Sequence, residues 1–78
     1  MKVKITKPDG TLYDGEARLV QLPGTGGAFE ILENHAPIIS SLSSGTLRLI
    51  DTQETEHKFQ VRGGVAKSQK NNLLILVQ

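Results

Sequence analysis

The run Glu56-His57-Lys58-Phe59-Gln60-Val61-Arg62 alternates without a fault: His57, Phe59 and Val61 on one side, Glu56, Lys58, Gln60 and Arg62 on the other. A period of two over seven residues is the signature of a half-buried β-strand, because successive side chains of an extended backbone point to opposite faces. Gly63-Gly64 ends the run. Paired glycines are disfavoured inside a strand, so they predict a bulge or a close backbone crossing.

The same grammar extends in both directions. Toward the C-terminus, Lys70-Asn71-Asn72 reads as a turn into Leu73-Leu74-Ile75-Leu76-Val77. That strand is apolar on both faces, which places it inside a sandwich or against a partner. Toward the N-terminus, Ser43-Ser44-Gly45 leads into Leu47-Arg48-Leu49, and Ile38 to Leu42 forms a short strand. Phe29 and Ile31 face inward past Glu30, and Pro23 to Gly27 is a loop. Tyr13 to Leu22 reads as a pair of extended segments broken near Asp14-Gly15. At the start, Val3 and Ile5 point inward while Lys2 and Lys4 point outward, and Pro8-Asp9-Gly10 turns the chain. The two lysines suggest an edge strand protected from aggregation. No segment carries a helical period. Many short strands with glycine-rich turns predict an all-β fold, a sandwich or barrel, spanning residues 1–78 as a single domain.

Composition excludes several functions. Nine Lys+Arg against eight Asp+Glu leave a net charge of +1. A nucleic-acid binder normally shows a clear basic excess, and one Tyr with two Phe offers little for base stacking. There is no cysteine to form disulfides or thiolate metal ligands. The longest apolar run, Leu73 to Val77, falls far short of the roughly 20 residues of a membrane-spanning helix. The N-terminus has neither the apolar stretch of a signal peptide nor the character of a transit peptide.

Candidate chemistry is sparse. Pro23-Gly24-Thr25-Gly26-Gly27 lacks the Gly-Lys-Ser/Thr ending of a phosphate loop and runs into a strand, so it reads as a tight connection. His35 could act as a base toward Ser40 or Ser41, but no nucleophile-elbow pattern surrounds them. His57 lies on the inward face of its strand, where a structural histidine is expected. Two histidines make a poor zinc site, which needs three or four protein ligands. The residues alone describe a small β domain with no visible catalytic, metal or cofactor site.

One stretch adds more. Pro23-Gly24-x-x-Gly27-x-Phe29-x-Ile31-Leu32-x-x-His35-Ala36-Pro37-Ile38 resembles the signature segment of the epsilon subunits of F-type ATP synthases. Pro8-Asp9-Gly10-x-x-Tyr13-x-Gly15, Gly45-x-x-Arg48 and Gly63-Gly64 match the same family in the same order. The resemblance implies a flattened two-sheet β-sandwich of short, mostly antiparallel strands. It implies a non-catalytic rotor subunit of the central stalk, without cofactor, that fastens the gamma subunit to the membrane c-ring. The catalytic alpha/beta head would be an indirect partner. Its expected place is the cytoplasmic face of the bacterial inner membrane, as a peripheral protein. By the same resemblance Glu30, Ile31, Glu33, Asn34, His35, Ala36, Pro37 and Ile38 form the contact with gamma and the c-ring. Of these, the polar Glu33 and His35 are expected to be replaceable without harm to folding. Ala28 and Lys67 stand where the family usually has acidic residues, Glu30 where it often has Gly, and Glu33 where it often has Pro. Longer relatives continue into a helical hairpin that can inhibit ATP hydrolysis; a chain ending at Gln78 is expected to lack that brake. A freestanding β-sandwich adaptor for a peptide or ligand is the competing expectation.

Overall fold

The computed structural model describes all residues, Met1–Gln78, as eight strands and no helix. They are β1 (Lys2–Lys7), β2 (Gly10–Gly24), β3 (Gly27–Leu32), β4 (Ile38–Leu42), β5 (Gly45–Asp51), β6 (Glu56–Val61), β7 (Gly64–Gln69) and β8 (Asn72–Val77). With no helix, none is long and apolar enough to cross a membrane. All neighbouring pairs are antiparallel except β1 and β8, which run parallel.

The long strand β2 organises the fold. Its first part pairs with β1, from Gly10↔Lys7 to Glu16↔Lys2. Its second part pairs with β3 on one side and β5 on the other. One layer is therefore β4-β7-β8-β1 with the start of β2, and the other is β3, the end of β2, β5 and β6. The register slips between Ala17 and Leu19. Such a bulge inserts an extra residue and reverses which side chains face inward. Ala17 is buried before the slip, and Val20 and Leu22 after it. The expected break at Asp14-Gly15 is thus not found. The chain passes unbroken from one layer to the other, and its phase changes further on.

Fifteen apolar residues form the core between the layers, among them Val3 and Ile5 from β1, Leu47 and Leu49 from β5, and Leu73, Ile75 and Val77 from β8. Tyr13, Phe29, Ile38 and Phe59 pack against its margin. The alternating run is now explained: Val61 is buried, Phe59 and His57 are half-buried, and their neighbours are exposed. β8 is flanked by β1 and β7, which accounts for its apolar inner residues. The edge assigned to Lys2 and Lys4 is overturned, because β1 is paired on both sides, with β2 and with β8.

Gly64 has φ +153°, and a Cβ there would lie 2.9 Å from Val77 Cα and closer still to the Leu76 carbonyl oxygen. The expected close crossing is real, and no side chain fits it. Lys70 and Asn71, with φ of 52° and 59°, turn β7 into β8; two consecutive left-handed residues match the right-handed twist of a hairpin.

Candidate partner-binding site

The segment expected to contact partners runs from the end of β3 through a turn into β4. Strand pairing sets which residues it offers. Ile31 lies opposite Val20 and is buried in the core. Leu32, next to it, must then point outward, and it is 51% exposed. Likewise Ile38 packs against the core while Ile39 stands 75% exposed. Adjacent apolar pairs on a strand cannot both face inward, so Ile31-Leu32 and Ile38-Ile39 each had to expose one member. Leu32, within the expected segment, and Ile39, just beyond it, are the members left exposed.

The polar residues of the segment are tied into the fold. Glu30 accepts a hydrogen bond from Gln21 Nε2 at 2.7 Å. The Glu33 carboxylate receives the Met1 ammonium, which also donates to the Ala17 carbonyl at 2.9 Å. Asn34 turns the chain with φ 59°, and its N–H donates to Asn71 Oδ1 at 3.0 Å. His35 Nδ1 lies 2.8 Å from the Leu32 carbonyl oxygen. Only a donor can satisfy that oxygen, so the proton sits on Nδ1; Nε2 is buried without a partner. Ser68 Oγ reaches the Ala36 carbonyl at 3.5 Å. Glu33 and His35 therefore hold the turn. Exchanging either for Ala would remove one contact of the turn. Ala36 and Pro37 are exposed, and apart from the Ala36 carbonyl they take no part in these contacts.

No catalytic pair forms here. Ser40 Oγ donates to the Ser41 carbonyl, Ser41 Oγ faces Thr25 Oγ1 at 3.0 Å, and neither meets His35. No group of three His, Cys, Asp or Glu side chains gathers in metal-binding geometry. His57 is structural. Its Nε2 lies 3.0 Å from Asp51 Oδ2, and its ring meets Tyr13 edge-on at 5.2 Å, joining β6 to the first part of β2. The His57 hydrogen bond, helped by the Thr55 and Gln53 N–H groups, holds the Asp51 carboxyl below its ordinary range. Burial, with Asp51 and Glu16 nearby, pushes the Tyr13 phenol up.

The outer faces of the two layers differ. On the β3-β2-β5-β6 face, Glu30, Gln21, Arg48 and Lys58 stand in one cross-strand row. Arg48 Nη1 donates to Gln21 Oε1 at 3.1 Å and Nε to Glu56 Oε2 at 2.5 Å, while Lys58 lies 3.7 Å from Glu56. This face satisfies itself. The β4-β7-β8-β1 face carries Ile39, Val65, Leu74 and Leu76, four of the six exposed large apolar residues. A groove of about 420 Å³ lined by Pro37, Ile38, Ile39, Lys67, Ser68 and Gln69 connects it to the contact segment.

Comparison with known proteins agrees with this architecture. The family model of the ATP synthase delta/epsilon chain β-sandwich domain matches residues 1–78. The ATP synthase epsilon chain of Chlorobium limicola is 34% identical over 77 residues, 99% of this chain and 88% of that one. Those of Hyphomonas neptunium and Thermosynechococcus vestitus are 36% and 38% identical, and this chain spans 55% of the length of each. A chain of the Euglena gracilis mitochondrial ATP synthase OSCP/F1/c-ring structure superposes with a TM-score of 0.89 at 17% identity, covering 96% of this chain and 48% of its own. A chain of the Tetrahymena thermophila mitochondrial ATP synthase central stalk/c-ring gives 0.85 at 18%, covering 100% and 63%. At such identities these two likenesses speak for the fold, and the family match and its relatives speak for kinship. The chain belongs to the ATP synthase delta/epsilon family, as its β-sandwich domain.

Proposed function

We propose that this domain is a non-catalytic central-stalk element of an F-type ATP synthase that fastens the gamma subunit to the c-ring and so helps carry rotation between membrane and catalytic head. The observation that carries the reading is the family match over residues 1–78, met by a turn that presents exposed Leu32, Ala36, Pro37 and Ile39 from a rigid base. A coupling part must deform less than the step it transmits, and a close-packed β core is scarcely compressible. The relatives carry the name ATP synthase epsilon chain, and the similar solved chains belong to assemblies described as central stalk or F1 with c-ring. Those associations support gamma and the c-ring as partners, with the alpha/beta head reached only through gamma. They also support a peripheral position on the membrane face that bears the head, the cytoplasmic face in a bacterium.

Glu30, Ile31, Glu33, Asn34, His35, Ala36, Pro37 and Ile38 keep their proposed place at the contact with divided labour. Ala36 and Pro37 touch the partner, and the others shape the turn. The test is co-purification of the chain with the gamma subunit and c-ring of its own organism. Ala36→Arg changes an exposed side chain and keeps the backbone carbonyl that Ser68 reaches, so it should keep the circular dichroism spectrum and thermal transition while losing assembly. A wild-type chain that binds neither gamma nor the c-ring would refute the reading.

A further inference from the structure

The turn between β3 and β4 passes from one layer to the other without strand pairing to hold it. β3 pairs only with β2, and the pairing of β4 with β7 begins at Ile38. No backbone–backbone hydrogen bond outside the strands reaches residues 33–37. The placement of the turn therefore depends on side chains. The His35 bond to the Leu32 carbonyl spans three residues, so it closes the turn on itself without fixing it to the body of the domain. Ser68 Oγ lies 3.5 Å from the Ala36 carbonyl, beyond the usual range of an O–H···O hydrogen bond. Two closer contacts reach other parts of the fold. The Met1 ammonium meets the Glu33 carboxylate, and the Asn34 N–H donates to Asn71 Oδ1 at 3.0 Å.

Asn71 is half-buried at the second position of the β7–β8 turn, with φ 59°. Asparagine tolerates that left-handed backbone better than most residues with a Cβ. Its backbone carbonyl accepts the Lys2 N–H at 3.0 Å, while its side-chain oxygen takes the Asn34 N–H. Glycine would satisfy the backbone of this turn equally well, but it brings no oxygen to a donor 37 residues away in the chain. Lys2 is joined covalently to Met1, and Glu33 to Asn34. Three non-covalent contacts and these two links therefore close a ring through Asn71, Lys2, Met1, Glu33 and Asn34. Members of such a network support one another. Asn34 itself sits at φ 59°, a conformation that its surroundings must hold in place.

We infer that Asn71 is a positioning residue for the proposed contact: its side-chain oxygen anchors Asn34 and thereby sets where Leu32, Ala36 and Pro37 are presented to gamma and the c-ring. The inference rests on the proposed stalk role and deepens it. Asn71 acts through the turn. A contact surface that is already ordered binds more tightly than one that must order on binding, because the cost of ordering is deducted from the affinity. The ring ties the turn to β1 and to the β7–β8 hairpin, whose Val3, Ile5, Leu73 and Ile75 are among the most deeply buried residues of the core. The turn thus takes its rigidity from the core although its own residues lie outside it.

The experiment compares the full chain as wild type, Asn71→Gly, Asn71→Asp and Glu33→Ala. Gly keeps the left-handed backbone and removes the oxygen. Asp keeps an acceptor in the same place and tolerates the same backbone. Amide hydrogen exchange at Asn34 reads the turn in the free chain, with the amides of the β7–β8 ladder as internal control. Affinity for the gamma–c-ring complex of the same organism reads the contact. Asn34 should exchange roughly tenfold or more faster in Asn71→Gly, while the ladder amides change less. Affinity should fall about twofold to tenfold, the equivalent of one hydrogen bond. Asn71→Asp should match wild type in both readings. Glu33→Ala leaves the Asn34 acceptor in place, so faster Asn34 exchange there shows the ring acting as a unit. It also keeps the inference testable if Asn71→Gly disturbs the hairpin. Unchanged Asn34 exchange in Asn71→Gly, or in Glu33→Ala should the former not fold, would overturn the tether. Faster exchange with unchanged affinity would overturn the positioning role and leave the stalk role standing. Equal loss of affinity in Asn71→Asp and Asn71→Gly would remove the side-chain oxygen from the account. Wild-type chain that fails to bind the complex would overturn the stalk role, and the inference with it.

Discussion

Ile75→Ala and Leu76→Ala change adjacent residues of β8 that point to opposite sides of the sheet. Ile75 is 0% exposed, part of the core, and its strand is hydrogen-bonded to β1 on one side and β7 on the other. Removing it forfeits transfer free energy and leaves a cavity that two paired neighbours cannot collapse, about 3–5 kcal/mol, in the upper part of the range for such truncations. Leu76 is about half exposed. Full burial of a leucine contributes about 1.5–3 kcal/mol, so half of it, with no closed cavity, amounts to about 1 kcal/mol. A domain of 78 residues has a total stability of about 4–12 kcal/mol at typical per-residue values. Ile75→Ala should therefore remove a large share of it, and Leu76→Ala little. Thermal denaturation followed by circular dichroism reads both, since each kcal/mol moves Tm by about 4–8 °C in a domain this size. The expectation is a fall of at least about 12 °C for Ile75→Ala and of no more than about 8 °C for Leu76→Ala. Equal falls, or the reverse order, would refute the assignment of faces.

Gly64→Ala should prevent stable folding or cost several times the effect of Gly26→Ala. A Cβ at Gly64 meets the Leu76–Val77 backbone, whereas at Gly26 nothing lies within 4 Å; far-UV spectra and urea midpoints of the two variants make the comparison. The acid limb of stability should depend on Asp51. Its folded pKa is depressed by the His57 hydrogen bond and those of Thr55 and Gln53, so its contribution is present above the unfolded value near about 3.9 and lost as pH falls through the lower folded value. Glu54 and Glu56, lowered chiefly by hydrogen bonds from Arg18 and Arg48, act with the same sign. Urea titrations between pH 5 and pH 2 (about one unit either side of the carboxylate range) should show a shallower decline for Asp51→Asn than for wild type, and parallel curves would remove Asp51 from the account.

Local alternation revealed most of the strands, and non-local pairing hid the rest. Ile38–Leu42 and the run from Glu56 to Val61 were legible because a single sheet face sets the period of each. β2 was not, because it serves two layers and its inward positions change phase at the slip between Ala17 and Leu19. Two in-phase halves look like two segments, and Asp14-Gly15 offered a convenient break. Lys2 and Lys4 looked like an edge because a strand's neighbours are not written in its own residues; the parallel pairing of β1 with β8 joins opposite ends of the chain. That pairing sets Lys4 beside Leu74, with Lys67 on the next strand. The motif marks the proposed contact segment, yet it could not tell turn-holders from presented residues. The Met1 ammonium on Glu33 and the Leu32 carbonyl on His35 made that division.

ATP-driven ion pumping by the reconstituted complex, with and without this chain, measures whether it couples rotation. With the chain omitted, hydrolysis by the catalytic head should continue while pumping across the membrane collapses, and adding the wild-type chain back, but not Ala36→Arg, should restore it. Pumping per ATP hydrolysed that stays the same in the absence of the chain would contradict the account.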